Sequence, residues 1–139
     1  MHVTGFYPVI TSTDVAAAAA FYRDALGFET TYESDWYVSL RLDRFELAIL
    51  DARHETIPEG FRRAPQGVLL NLEVDDVDAV HAALTREHPD RVRLPLRDED
   101  FGQRHVILEA PDGVLLDVIQ PIAPSAEFAA AYAEGEAPA

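Results

Sequence analysis

The sequence predicts an α+β fold built from two tandem βαβββ modules, with a cupped mixed sheet and the helices outside it. Apolar segments of strand length alternate with two segments of helical periodicity. The order of elements before residue 52 is repeated after residue 66. The two halves align at a constant offset, which places Asp14 on Asp76 and Tyr22 on Leu84.

In the first module, a β-rich alternating segment predicts a strand at residues 6–11. An alanine-rich helix should follow from Val15, capped by Asp14, Thr13 or Ser12 and ended by Gly27. Three further strands are predicted at residues 28–33, 36–42 and 45–50.

The second module should begin after a linker at residues 52–66, which contains Pro58, Gly60 and Pro65. Asp75 and Asp76 should open its helix, and Pro95 predicts an outer or bulged strand. Its remaining predicted segments are strands at 67–74, 91–96, 105–109 and 114–119, a charged loop at 97–103, and a short tail helix at 127–132. We expect one domain over residues 1–139, with modules at about 5–51 and 67–121, and a tail at 122–139 that frays after residue 135.

The amino-acid composition argues against several classes of site and partner. The chain contains no cysteine, which excludes disulfides, thiolate metal sites and cysteine nucleophiles. The net charge of −14 argues against a nucleic-acid partner and would favour a cationic ligand. We find no apolar segment of membrane-spanning length and no secretory signal, so we expect a cytoplasmic protein without a membrane partner.

Three motifs carry a family resemblance. They are the segment at 12–14 with the run at 21–28, the segment at 74–78 that opens the second helix, and the closing hairpin at 110–117. In this order they resemble the vicinal-oxygen-chelate superfamily, also called the glyoxalase/bleomycin-resistance/dioxygenase fold. The resemblance implies a ligand cavity inside the cupped sheet and a homodimer, and it leaves the chemistry open.

Metal-dependent members of that superfamily place four ligands on strands, usually His or Gln, Glu, His and Glu. The resemblance maps these positions onto Tyr7, Glu46, Leu69 and Asp117. Leucine offers no lone pair, and a neutral phenol is a poor ligand. We therefore expect no cofactor. The alternative is a divalent metal held weakly by Glu46 and Asp117.

Several side chains are candidates for the cavity. Glu46 and Asp117 are predicted at corresponding strand positions, where a close pair could split its pKa values and supply a general base. His105 is the preferred histidine, after a predicted mobile lid, and joins Glu46 as a candidate catalytic residue. Trp36 is expected to pack in the core. The predicted ligand-binding residues are Tyr7, Tyr37, Glu46, Asn71, Phe101, Arg104 and Asp117.

Two functions from different classes remain open. The first is a non-catalytic protein that binds or sequesters a cationic or aromatic metabolite or antibiotic. The second is a lyase, isomerase or dioxygenase, which either depends on a divalent metal or uses Glu46 or His105 as general base.

Overall fold

The computed structural model describes residues 1–132. The chain forms two compact units, the first comprising Met1–Gly67 and Ala110–Val114, and the second comprising Val68–Glu109 and the chain from Leu115 onward. The predicted fraying after residue 135 lies outside the described residues. None of the helices within residues 1–132 is long and apolar enough to span a membrane.

Each unit contains a four-stranded mixed sheet and follows the predicted element order. In the first unit the strand order is β1-β4-β3-β2, and in the second it is β5-β8-β7-β6. The first unit contains β1 (Val9–Ser12), α1 (Val15–Leu26), β2 (Glu29–Glu33), β3 (Tyr37–Leu42) and β4 (Phe45–Asp51). The second contains β5 (Leu69–Glu73), α2 (Val77–Glu87), β6 (Val92–Glu99), β7 (Gln103–Glu109), β8 (Leu115–Pro121) and α3 (Ala126–Ala129). The predicted α+β class with two βαβββ modules is confirmed.

The helix ends show why the repeat was visible in the sequence. Asp14 and Asp76 cap α1 and α2 in the same way, each accepting a hydrogen bond from a backbone N–H three residues later at 3.0 Å. Gly27 ends α1 with φ 82°, a left-handed conformation that favours glycine. The predicted cap at Asp14 and stop at Gly27 are therefore confirmed.

Strand alternation gives each sheet a face against its helix and a far face turned away from it. In the first unit, Ile10, Val38, Leu40, Leu47 and Ile49 are buried on the face that packs against α1. Their neighbours along the strands occupy the far face. In the second unit the face against α2 carries the buried residues Val106, Leu108, Leu116 and Val118.

Two predicted boundaries are wrong. The first strand begins at Val9, so Tyr7 precedes it instead of lying within it. The charged segment at 97–103 is mostly strand, because β6 extends to Glu99 and β7 begins at Gln103. The backbones of β6 and β7 pair despite the polar side chains of this segment. Only a tight turn therefore remains where a lid was predicted. The prediction for Pro95 is confirmed, since β6 is an outer strand with register shifts.

Asp112 connects the closing hairpin to the start of α1 within the first unit. Its Oδ1 accepts hydrogen bonds from the backbone N–H of Thr13 at 3.0 Å and from the Thr13 hydroxyl at 2.8 Å. Asp112 has φ 63°, which aspartate tolerates better than most residues. Partial burial raises the pKa of Asp112, but hydrogen bonds from Ser12 and Thr13 outweigh it, so the pKa lies below its ordinary value.

We expect Asp112→Asn to be less stable than the parent protein by about 1 kcal/mol at neutral pH, because charge-assisted hydrogen bonds become neutral ones. A lowered folded-state pKa contributes stability above the unfolded-state value of 3.8, and this contribution is lost as the pH falls through the folded-state pKa. The difference between the two proteins should therefore shrink in acid. Urea unfolding across this pH range tests it, with the exposed Asp24→Asn as control. A difference that persists below the folded-state pKa would contradict the assignment.

Candidate ligand-binding site

The far face of the first sheet borders a cleft of about 500 Å³. We call it the aromatic cleft. Residues from the chain before β1, from three strands, from the turn between β2 and β3 and from the loop after β4 line it: Tyr7, Tyr32, Trp36, Tyr37, Ser39, Leu50 and Thr56. Four of these side chains are aromatic, and five carry a hydroxyl group. The cleft therefore offers ring faces together with neutral hydrogen-bonding groups.

A tight turn and two strand pairings position the aromatic residues. The Ser34 backbone N–H donates to the Tyr37 carbonyl at 2.9 Å, and the Tyr37 N–H donates to the Ser34 hydroxyl at 3.1 Å. The Asp51 N–H donates to the Trp36 carbonyl at 2.8 Å, which joins this turn to β4. Tyr37 pairs with Leu50 across the sheet, so both point to the far face.

His54 supports Trp36 from the loop that follows β4. The two rings stack with centroids 3.7 Å apart and planes inclined by 6°. The Thr56 backbone N–H donates to Nδ1 of His54 at 3.2 Å, and the Thr56 hydroxyl lies 2.9 Å from the same nitrogen. The Thr11 hydroxyl donates to the Arg63 carbonyl at 2.8 Å and ties the loop back to β1. The loop is thus a wall of the cleft.

The Tyr37 hydroxyl remains neutral because its pKa is raised. Burial raises the pKa of Tyr37, and the adjacent Tyr7 raises it further, while a hydrogen bond with Ser39 acts in the opposite direction. The phenol is therefore protonated at physiological pH. It can donate one hydrogen bond and accept another without adding charge to the cleft.

The second unit places two predicted residues together on its far face. Nδ1 of His105 lies 2.8 Å from Oδ1 of Asp117, and both side chains are buried, with 4% and 7% of their residue surfaces exposed. Asn71 pairs with Asp117 in the parallel β5–β8 ladder, so its side chain lies on the same face. The pairing of a buried histidine with a buried carboxylate satisfies one polar atom of each.

The second nitrogen of His105 has a different environment. Within residues 1–132, Nε2 is buried without a hydrogen-bond partner, and Oε2 of Glu99 lies 3.6 Å from it. Hydrogen bonding from Arg97 lowers the pKa of Glu99. Phe101 contacts the His105 ring edge-on, with centroids 6.5 Å apart, and packs against Phe128 of α3.

Arg104 and Glu46 lie apart from these groups within their units. Strand alternation turns Arg104 away from His105, and its guanidinium lies 3.4 Å from carboxylate oxygens of both Asp78 and Asp98. Glu46 is exposed on the far face of β4, directly across from Arg41. Neither side chain lines the aromatic cleft.

The prediction that Glu46 and Asp117 occupy corresponding strand positions is wrong. Val9 pairs with Ala48, whereas the matching residue Asn71 pairs with Asp117. Asp117 therefore corresponds to Ala48, and Glu46 lies two residues earlier in its strand. Counting from the helix starts could not detect this shift, because backbone pairing sets the register.

Sequence reasoning also missed part of the cleft. Tyr32, Ser39, Leu50 and Thr56 were not predicted to line it, and Trp36 was expected in the core. The alternation of Tyr37 with Ser39 could have placed Ser39 on the far face. The positions of Thr56 and His54 depend on the folded loop, for which the sequence contains no periodic pattern.

Comparisons with known proteins identify the family. The model of the Glyoxalase/Bleomycin resistance protein/Dioxygenase superfamily matches residues 2–118, and the chain belongs to this superfamily. The match extends over residues of both units. Among curated proteins, none matches the chain.

Solved structures share the fold at low sequence identity. A lactoylglutathione lyase from Agrobacterium tumefaciens is 20% identical, with a TM-score of 0.67 and coverage of 86% of this chain and 95% of that one. A glyoxalase/bleomycin resistance protein/dioxygenase from Nocardioides is 18% identical, with a TM-score of 0.73 and coverage of 88% and 85%. A bleomycin-binding protein from Streptomyces verticillus, complexed with copper(II)-bleomycin, is 23% identical, with a TM-score of 0.59 and coverage of 85% and 96%.

The residues that the resemblance maps onto the four ligand positions differ from the donors of the family's metal-dependent members. Leu69 offers no donor atom, and Tyr7 offers a phenol. Asp117 already accepts a hydrogen bond from His105. Within residues 1–132 no three histidine or carboxylate side chains are grouped as metal ligands. Asp117 and Glu99 approach opposite nitrogens of His105, so this cluster cannot converge on one ion.

We expect the His105–Asp117 pair to act as a coupled unit in stability. Asp117→Leu leaves the buried imidazole N–H without an acceptor, and His105→Phe leaves the carboxylate without its donor, so each should cost about 1–3 kcal/mol. The double variant should lose less than the sum, with a coupling energy of about 0.5–3 kcal/mol. Urea unfolding of all four proteins tests this.

Arg97→Gln provides the control for the same cycle. It removes an exposed ion pair with Glu99 and should change stability by less than about 1 kcal/mol. Strictly additive losses at positions 105 and 117 would show that the two side chains stabilise the fold independently, contrary to the observed geometry.

Proposed function

We propose that this protein binds a cationic or aromatic small molecule in the aromatic cleft of its first unit, without a bound divalent metal. The observation that carries the proposal is the cleft itself, in which four aromatic rings and five hydroxyl groups surround about 500 Å³. Aromatic walls with a few placed polar groups are typical of small-molecule sites.

Charge supports a preference for cations. The net charge of −14 creates a negative potential around the chain that would concentrate cationic ligands and repel nucleic acid. The electron-rich ring faces also attract cations. The Streptomyces verticillus protein, which shares this fold, is a bleomycin-binding protein complexed with copper(II)-bleomycin. We therefore include antibiotics among the ligands to test.

The proposal also covers the cellular compartment, the oligomeric state and the metal content. We propose a cytoplasmic homodimer, with the dimer resting on the family resemblance and the compartment on the cysteine-free composition. The metal-free state rests on the unsuitable residues at positions 7 and 69. Elemental analysis of the purified protein after exposure to divalent metals tests this part directly, and a retained stoichiometric metal would overturn it.

Binding should be visible through Trp36, the only tryptophan of the chain. We expect at least one member of a panel of cationic antibiotics and aromatic metabolites to change its fluorescence and to raise the melting temperature at micromolar concentration. Tyr37→Leu should weaken that binding by about tenfold or more, because it removes a ring that the ligand contacts.

Phe45→Leu is the matched control, since Phe45 is exposed and lies outside the cleft. It should leave affinity unchanged. If no compound of the panel binds, or if both substitutions weaken binding equally, the cleft is not the binding site.

An enzyme is the second candidate, favoured by His105. Its Nδ1 is held by Asp117 while Nε2 lacks a hydrogen-bond partner within residues 1–132, which is the arrangement of an oriented imidazole base. In a lyase or isomerase reaction, the buried Nε2 would first have to become accessible to the substrate. It would then accept a proton from a carbon next to a carbonyl group and return it to a neighbouring atom. The alternative base is the exposed Glu46.

Solvent deuterium exchange separates these enzyme versions from a binding protein. NMR of α-hydroxy and α-keto compounds in D₂O should show protein-dependent exchange if a base acts on them. We expect His105→Gln to reduce such exchange by about a hundredfold or more, while Glu46→Gln and the control His2→Gln retain it. Loss of exchange in Glu46→Gln alone would assign the base to Glu46, and absence of exchange in the parent protein would leave the binding function.

A further inference from the structure

We propose that the aromatic cleft selects quaternary ammonium groups over both primary ammonium groups and neutral isosteres. This inference rests on the proposed binding function and names the ligand chemistry of the same cleft. It comes from three features: the inclination of the rings, the absence of charged residues in the lining, and the net negative charge of the chain.

The rings of the cleft are inclined to one another. Trp36 and Tyr37 have centroids 5.7 Å apart and planes inclined by 57°, and Tyr32 and Tyr37 have centroids 6.3 Å apart and planes inclined by 58°. One flat ligand cannot stack on several rings that are so inclined. A compact, nearly spherical group can contact several of them at once. Quaternary ammonium groups have this shape, and aromatic cages are their usual receptors.

His54 makes this geometry more restrictive. It stacks on Trp36 at 3.7 Å and occupies one face of the indole. The hydrogen bonds between His54 and Thr56 hold this stack in place. A planar ligand therefore cannot insert on that side without breaking the stack, whereas a compact cation needs only the remaining ring surface of the cleft.

The lining of the cleft discriminates between types of cation. All seven lining residues are uncharged. A primary ammonium group is strongly hydrated and carries three N–H donors, so it loses more on leaving water than neutral hydroxyls return. A quaternary ammonium group has no N–H donor to satisfy and is weakly hydrated. It can present its methyl groups to the rings at a lower desolvation cost.

The net charge of −14 supplies the preference for positive charge. Glu46 lies on the same far face, but four residues from Leu50 along β4, which is about 13 Å along the strand, so it acts only through this long-range potential. Arg41, which lies across from Glu46, is within 3.7 Å of Glu29 on the next strand, so its charge is offset by that partner. The surrounding potential thus favours a cation, while the uncharged lining removes the advantage that a direct ion pair would give to a primary amine.

Choline, ethanolamine and dimethylbutanol, the neutral carbon isostere of choline, form the test set. Titrations followed by Trp36 fluorescence and calorimetry should show choline binding about tenfold or more tightly than either of the other two. Tyr37→Phe should retain the preference, because the ring remains. Tyr37→Leu should reduce choline affinity about tenfold, and Phe45→Leu should leave it unchanged. Circular dichroism confirms that each variant is folded.

The outcomes separate this inference from the proposed function. Equal affinity for choline and dimethylbutanol would show apolar recognition without a cation–π contribution and would overturn the inference. Tighter binding of ethanolamine than of choline would overturn it too, since it requires a direct carboxylate partner. In both cases the binding function survives if aromatic compounds bind in the cleft. Failure of every compound, including the antibiotic panel, would overturn both.

Discussion

The packing of a helix on one face of each sheet is the constraint on which the rest of the structure depends. In the first unit, α1 requires a continuous apolar surface, which Val38, Leu40, Leu47 and Ile49 provide. Because side chains alternate along a strand, this requirement assigns the intervening residues to the far face. Residues on the far face can therefore vary without disturbing the buried core. The aromatic cleft lies on this face.

The far faces of the two units carry different side chains. The first exposes rings and hydroxyls on its far face, whereas the second buries an imidazole and a carboxylate in contact with each other. Burial of such groups is costly unless each is paired, so His105 and Asp117 depend on one another. The same backbone plan thus supports an open recognition surface in one unit and a buried polar pair in the other.

The sequence predicted element order well because caps and periodicity are local properties, as at Asp14 and Gly27. It predicted the candidate site residues less well, because their positions depend on how distant strands pair. The register of β4 and β8, and with it the relation of Glu46 to Asp117, is set by backbone hydrogen bonds between distant segments. The contact of His54 with Trp36 depends on loop closure, which no periodic pattern in residues 52–66 encodes. His105 could be nominated from its neighbours, but its carboxylate partner became evident only from strand geometry.

The register shifts in β2 and β6 have a consequence for the behaviour of the protein at high concentration. Both are outer strands of their sheets, and an outer strand can recruit a strand from another molecule. The shift between Thr30 and Tyr32 disrupts the ladder of β2, and Glu29 and Glu33 place charge at its ends. Pro95 has no backbone N–H to donate, and it lies within the register shift of β6. Irregularity at these two borders therefore disfavours the addition of a strand from another molecule to β2 or β6.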